Sequence, residues 1–469
     1  MFQYLVFTNV KKNLQFSITK RYKSCFTTWL FPFSVQSFIK NIKRNILYLI
    51  FLYFCEDREY LNLIILIMTQ SSTEHLSPFK KGIVGVQFLF VAFGATVLVP
   101  LLVGLDPSTA LFTAGIGTLL FHLVTKGMVP IFLGSSFAFI APIVKATELY
   151  GMSGALCGLA GVAIVYFFMS ALVKWQGIKV INKLFPPIVI GPVIMLIGLS
   201  LASSGVNMAK SNWTIAIVSL VTAVLVTMLG KGLLKLIPIF AGIVVGYVVA
   251  YFMGLIDFTL VREASWIGFP KFVAPTFSWQ AILFMIPVAI APVIEHIGDI
   301  YMVNTVTGKN FIENPGLHRT LLGDGIACAV AGFLGGPPVT TYSEVTGAMS
   351  LTKITSPVVI RVAAVTGIVF SVIGKISALL KTIPEAVLGG IMLLLFGTIA
   401  AAGIANLINN CVNMSSTRNI VISSLILTTG IGGAVLDIGT FSLTGIGLSA
   451  VIGVLLNLIL PHEKEKANK

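Results

Sequence analysis

The sequence predicts an all-α polytopic membrane protein, and three observations carry that prediction. Charged residues make up 10% of the 469 and hydrophobic ones 56%, whereas a soluble globular chain carries about 25% charge. Apolar runs of about 20 residues, the length that crosses a bilayer as helix, recur from residue 83 onward. The 44 glycines supply the small surfaces at which closely packed membrane helices meet.

Dividing the apolar runs at charges, Gly/Pro pairs and polar clusters gives fourteen segments. Seven fall at 83–103, 107–124, 130–146, 153–173, 187–204, 213–230 and 236–254. After a polar loop at 255–279, seven more fall at 281–303, 321–334, 341–352, 356–375, 384–405, 418–436 and 441–460. Two of them, 130–146 and 341–352, are short and irregular. With the N-terminus inside, sixteen Lys/Arg fall in cytoplasmic loops and six (Lys145, Lys210, Arg262, Lys271, Lys375, Lys381) on the other side. That bias predicts a multi-pass protein of the inner or plasma membrane with both termini cytoplasmic, the tail 461–469 included. The net charge of +14 is therefore read as topology, and no nucleic-acid partner is expected. Five scattered cysteines without CxxC spacing indicate neither a disulfide framework nor a metal site, and no cofactor is called for.

Residues 1–67 stand apart. They contain no Gly and no Ala, and their apolar stretches, 45–54 and 61–67, are too short to span a bilayer. The expectation is that translation starts at Met68; the alternative is a disordered basic arm on the cytoplasmic face.

The two halves, 79–254 and 277–460, echo each other at a spacing near 200 residues. "FLGSSFAF" (132–139) is echoed by "FLGGPPVTTY" (333–342), "FPPIVIG" (185–191) by "IPEAVLG" (383–389), and "FGAT" (93–96) aligns with "IGDI" (297–300). An odd number of segments per half makes the second copy inverted, and inverted repeats place a transporter's binding site at their interface. Ser135, Ser136, Gly336, Pro337, Pro338, Thr340 and Thr341 break the helical pattern at corresponding places. Backbone that does so at membrane depth is buried in protein or lines a cavity. Half-helix N-termini there offer unpaired N–H groups to a polar ligand.

Acids inside apolar segments mark function more often than structure. Glu295 and Asp299 in "APVIEHIGDI" lie four apart on one helix face, and Glu344 directly follows the broken "PPVTTYS" stretch. The three carboxylates are expected to share a cavity, the alternative being that each caps a helix or pairs with a lysine. His296 points away from Glu295, toward a packing or supporting role, and His318 is read as structural.

"FGATVLVPLL" (93–102), "FLGSSFAFIAP" (132–142), "EHIGD" (295–299), "NPGLHR" (314–319) and "TTYSEVTGAMSLTK" (340–353) together resemble the nucleobase–ascorbate transporters (nucleobase:cation symporter-2), and within them the bacterial uracil:proton symporters, over about 79–460. The resemblance implies a core domain (segments 1–4 and 8–11) moving against a gate domain (5–7 and 12–14), short antiparallel strands in segments 3 and 10, and a homodimer. It implies that Glu295 and Glu344 hold the base, with backbone groups of Phe137 and Ser343 completing the site, and with Tyr342 and Ala95 beside it. The chemistry fits: carboxylates accept from the ring N–H groups of uracil, backbone N–H groups donate to its carbonyls, and Phe137 and Tyr342 offer apolar faces to a planar ring.

Three departures bear on substrate. Asp299 stands where uracil symporters carry a histidine and xanthine members an aspartate. Ser343-Glu344-Val345 replaces Gly-Glu-Asn, and Gln87-Phe88 replaces Gln-His. Glu344 favours uracil over xanthine, whose carriers have glutamine there. The expected activity is uracil import with protons by alternating access, with Asp299 and Glu295 as the coupling carboxylates, since two desolvated acids on one face disfavour double ionisation. A purine:proton symporter of the same fold is the alternative. An anion transporter of related fold is disfavoured by the acidic centre. An enzyme is not expected, since the segments carry no HExxH, GxSxG or GxGD pattern.

Overall fold

The computed structural model describes residues 77–231, 234–438 and 441–461. The expectations for residues 1–67 and for the tail beyond 461 lie outside the described residues.

The helices begin and end where local chemistry dictates. Helix α1 (Pro78–Val103) starts behind Ser77, whose hydroxyl accepts from the Lys80 N–H at 3.4 Å. α2 (Pro107–Val124) starts behind Asp106, whose carboxylate accepts from the Ser108 N–H at 2.8 Å. In both, proline occupies the first turn, where no N–H is needed. A three-residue strand, β1 (Leu133–Ser135), and a 3-10 turn (Phe137–Phe139) lead into α3 (Ile140–Gln176). Gly151, at φ 70° and ψ 166°, breaks α3 between the two segments expected at 130–146 and 153–173. A short α4 (Ile178–Leu184) connects to α5 (Pro187–Ala209), α6 (Trp213–Leu229) and α7 (Pro238–Phe252).

The loop expected at 255–279 contains a five-residue helix, α8 (Thr259–Glu263). The segment expected at 281–303 is not one straight helix. α9 (Trp279–Met285) and α10 (Ile290–Thr307) are bent by 45° at a break that holds Pro287, which has no N–H to continue the helical ladder. There follow α11 (Leu317–Phe333), strand β2 (Val339–Thr341), α12 (Ser343–Thr352), α13 (Pro357–Val372), α14 (Gly374–Lys381), α15 (Glu385–Asn409) and α16 (Thr417–Ile431). A hairpin that the sequence reading did not anticipate, β3 (Val435–Ile438) and β4 (Phe441–Thr444), separates α16 from α17 (Gly445–Ile459).

Among the described residues α1, α2, α3 with its 3-10 lead-in, α5 and α15 are long and apolar enough to cross a membrane, and the bent α9–α10 pair makes a sixth. α6, α7, α13 and α17 are shorter apolar helices. The architecture is that of a multi-pass helical membrane protein. Its helices pack pairwise, α15 along α5, α11 along α3, and α13 along α1 and α2.

The two broken stretches meet. β1 and β2 pair antiparallel with Leu133 opposite Thr341, Gly134 opposite Thr340 and Ser135 opposite Val339. The ladder continues at both ends through Ser136 N–H to Pro338 O (2.9 Å) and Tyr342 N–H to Phe132 O (3.1 Å). Two side-chain hydrogen bonds join β1 to the flanking helices. Thr118 Oγ1 accepts from Leu133 N–H at 2.9 Å, and Ser135 Oγ donates to Thr96 O at 2.9 Å. Both strands are fully buried, so non-helical backbone lies inside protein with its hydrogen bonds made.

Gly134 is where this arrangement leaves no room. A Cβ there would collide with the Tyr342 ring and lie 2.8 Å from Thr96 Oγ1. Gly134→Val is expected to cost about 1–3 kcal/mol through overpacking, read as a lower thermal unfolding temperature in detergent. An unchanged unfolding temperature would show that the strand pair yields at this point.

Candidate functional site

The strand pair sets two helix starts and the flank of a third helix around one space. The 3-10 turn at Phe137 follows β1, α12 begins at Ser343 just after β2, and α10 passes alongside β2. Neither helical start is capped by a side chain. Their first N–H groups have no partner within a helix and carry the positive ends of the backbone dipoles; the Glu344 carboxylate accepts from its own N–H.

The space is a cavity of about 810 Å³, lined by Phe137, Glu295, Asp299, Tyr342, Ser343 and Glu344, with residues of α4, α5 and α15 closing the other side. Six of the seven residues singled out from the sequence therefore come together. Ala95 does not join them: it is buried in α1 and is not among the lining residues. Glu295 and Asp299 stand one turn apart on α10. Glu295 is half-buried, while Asp299 is only 7% exposed. Asp299 Oδ2 accepts a hydrogen bond from Thr341 Oγ1 at 2.5 Å, tying α10 to β2. Glu344 sits in the first turn of α12, where the helix N-terminus favours negative charge.

The two aromatic residues differ in what they contribute. Phe137 meets Phe396 of α15 edge to face, with ring centroids 6.0 Å apart and planes at 85°. Tyr342 is 3% exposed and its hydroxyl donates to Ser135 O at 2.9 Å, so its polar end is committed to holding β1.

Behind the cavity lies a polar cluster that the sequence reading only half anticipated. His296 turns away from the cavity, as its position one residue after Glu295 implies. Its Nδ1 lies 2.8 Å from Asp324 Oδ2 and its Nε2 2.9 Å from Thr320 Oγ1, which donates to Leu317 O at 2.9 Å. Histidine and aspartate are both fully buried. Asp324 was not singled out from the sequence, although an acid between two glycines inside an apolar segment ("LLGDGIA") carries the same signal as Glu295. Also missed were Thr305 on α10, Asn406 and Asn409 at the end of α15, and Asn410 just after it, which also line the cavity. Uncharged amides close to a loop give little signal. His318 has a structural contact, its carbonyl accepting from Ser170 Oγ at 2.5 Å.

Removing one member of the buried His296–Asp324 pair leaves the other unpartnered, at a cost of about 1–3 kcal/mol. Asp324→Ala is expected to lower stability by that amount, whereas Asp324→Asn keeps an acceptor for the imidazole and recovers most of it. Equal unfolding temperatures for Asp324→Ala and wild type would remove this pair as a support of α10.

Comparison with known proteins agrees with the fold. The chain is 49% identical over 405 residues to the probable uracil permease of Haemophilus influenzae, covering 84% of this chain and 98% of that one. It is 46% identical over 397 residues to the uracil permease of Bacillus caldolyticus (81% and 92%) and 38% over 384 to that of Escherichia coli K12 (80% and 89%). Among solved structures, the murine anion transporter Slc26a9 in its inward-facing state aligns with a TM-score of 0.60 at 12% identity, over 86% of this chain and 72% of that one. The transmembrane domain of the cyanobacterial bicarbonate transporter BicA aligns with a TM-score of 0.53 at 15% identity, over 82% and 98%. At such identities the likeness is one of fold. Residues 79–439 match the Permease family of xanthine and uracil permeases, and with relatives named as permeases at these identities over most of their length, the chain is a membrane permease of that family and not an enzyme.

Proposed function

We propose that this permease imports uracil together with protons across the inner membrane by alternating access. The observation that carries the proposal is the convergence of Glu295, Glu344 and two uncapped helix starts on one cavity. It occurs in a chain up to 51% identical to proteins named uracil permeases. Ring N–H groups of the base donate to the carboxylates, its carbonyls accept from the N–H groups at Phe137 and Ser343, and its ring lies against Phe137. The acidic centre sets this substrate apart from the anions carried by the structural neighbours.

In this reading the chain comprises fourteen segments in two inverted repeats, 79–254 and 277–460. The core (segments 1–4 and 8–11) carries the strands and α10, and the gate (5–7 and 12–14) carries α5 and α15. The protein works as a homodimer with both termini cytoplasmic. Asp299 takes the proton. Its hydrogen bond to Thr341 connects its charge state to the strand that carries Tyr342 and Glu344, so that loading the proton and loading the base act on the same few residues. One charge moved through 100 mV supplies about 2.3 kcal/mol, roughly a forty-fold accumulation. Asp299 also supports a second reading, a xanthine carrier, because the resemblance places aspartate at this position in xanthine members.

Uptake of radiolabelled uracil in cells lacking their own uracil permease tests both readings. Protonophore-sensitive uptake that ignores excess xanthine supports the uracil carrier. Block by xanthine, or no uracil uptake, transfers the protein to the purine branch. Loss of one charge-assisted hydrogen bond at about 1.5–3 kcal/mol predicts that Glu344→Gln weakens uracil binding about 10- to 150-fold. Asp299→Asn is expected to exchange uracil but not to concentrate it. An Asp299→Asn variant that still accumulates uracil against a gradient would exclude this residue as the proton carrier.

A further inference from the structure

The cavity runs well past the carboxylates. Along α10 it is lined from Glu295 through Asp299 to Thr305 and Val306. At about 1.5 Å of rise per residue, Glu295 and Thr305 stand about 15 Å apart along the axis. One pyrimidine ring is far shorter than that, and about 810 Å³ is several times its volume. A base held by Glu295 and Glu344 leaves the other end of the cavity unfilled.

That end has its own chemistry. It is lined by Thr305 from α10, by Asn406 and Asn409 from the last turn of α15, and by Asn410 just after it. Thr305 donates its hydroxyl to Tyr301 O at 3.0 Å, which leaves its oxygen able to accept. The Asn410 side-chain N–H is committed to Asn406 O at 2.8 Å. Asn406 differs: its side-chain oxygen is buried and has no hydrogen-bond partner. A buried, unmet acceptor is costly to hold, and this one belongs to a residue in the wall of a cavity. A carboxamide presents a donor and an acceptor side by side, which complements the adjacent N–H and C=O of a nucleobase imide edge.

We propose that the outer end of this cavity is a second, weaker nucleobase station, anchored by Asn406 and flanked by Asn409 and Thr305, which the base occupies between the carboxylate site and solvent. The proposal rests on the nucleobase reading above and adds a site to it. Among the described residues no charged side chain lines this end, so the station makes only neutral hydrogen bonds and holds a base less tightly than the carboxylates do. That weakness suits a release step.

Equilibrium binding of radiolabelled uracil to the purified full chain tests it. Wild type is expected to bind two molecules per chain, one tight and one weak. Asn406→Leu is expected to bind one, with the tight site's Kd within about twofold of wild type because the two sites are well separated. Retention of the tight site also reports that the variant is folded. Asn406→Ala, a milder change, is expected to weaken the second molecule about 3- to 10-fold. A wild-type stoichiometry of one, or a second molecule that persists unchanged in both Asn406 variants, overturns the station while leaving the uracil reading intact. No uracil bound at either site overturns the uracil reading and the station together.

Discussion

Everything at the centre of this protein depends on keeping backbone hydrogen bonds satisfied where no water can reach them. Ordinary membrane helices solve that problem internally, but they also use up every N–H and C=O along the way. Here two stretches leave the helix at residues 133–135 and 339–341 and satisfy each other as a two-stranded ladder. Only this arrangement lets helices begin in the middle of the protein, and only helix beginnings present several unspent N–H groups at once. The carboxylates on α10 and α12 gain their meaning from that setting. An acid beside helix starts and an open cavity is partly compensated, where the same acid facing lipid would not be.

The supporting contacts show how few elements hold the geometry. Thr341 bonds Asp299, Tyr342 bonds Ser135, Ser135 bonds Thr96, and Thr118 bonds Leu133. Four side chains thereby tie β1, β2, α1, α2 and α10 into one body. His296 extends the tie to α11 through Asp324 and Thr320. On the other side of the cavity the contact is of a different kind. Phe396 of α15 meets Phe137 with the two rings nearly perpendicular, and Ile190, Ile194 and Ile399 are apolar. Hydrogen bonds are directional and hold one position, whereas apolar contacts tolerate sliding. The strand side thus holds its position by directional bonds, while the α5 and α15 side makes apolar contacts up to Ile399 and turns polar only at Asn406.

Much of this was legible in the sequence, for identifiable reasons. Helix positions followed from apolar length: the expected starts at 107 and 187 coincide with the first residues of α2 and α5, whereas α1 begins at Pro78, ahead of the expected 83. The broken stretches were visible because Ser, Thr, Gly and Pro cluster there against an apolar background. Glu295, Asp299 and Glu344 were visible because charge is rare in such segments. What was hidden depended on pairing in space. That Asp324 partners His296 requires α10 and α11 to be placed. The bend between α9 and α10 turns on one proline among many that leave membrane helices intact, such as Pro100 within α1. The β3–β4 hairpin lies in a stretch apolar enough to pass for helix, where short strand and helix cannot be told apart by composition. Ala95 was named for its motif neighbours, and the motif proves to support the strands from behind, through Thr96, without reaching the cavity.

The tight seat of Gly134 under the Tyr342 ring has a consequence for how such a protein changes over generations. A position that admits no side chain cannot be adjusted by small steps, because the first step is already a collision. Positions on the cavity wall face open space, so a change of side chain there does not begin with a collision. Variation is thereby channelled toward the wall and away from the frame. A lineage built on this frame can acquire a new cargo by exchanging a few wall residues, while the frame itself is inherited whole or lost.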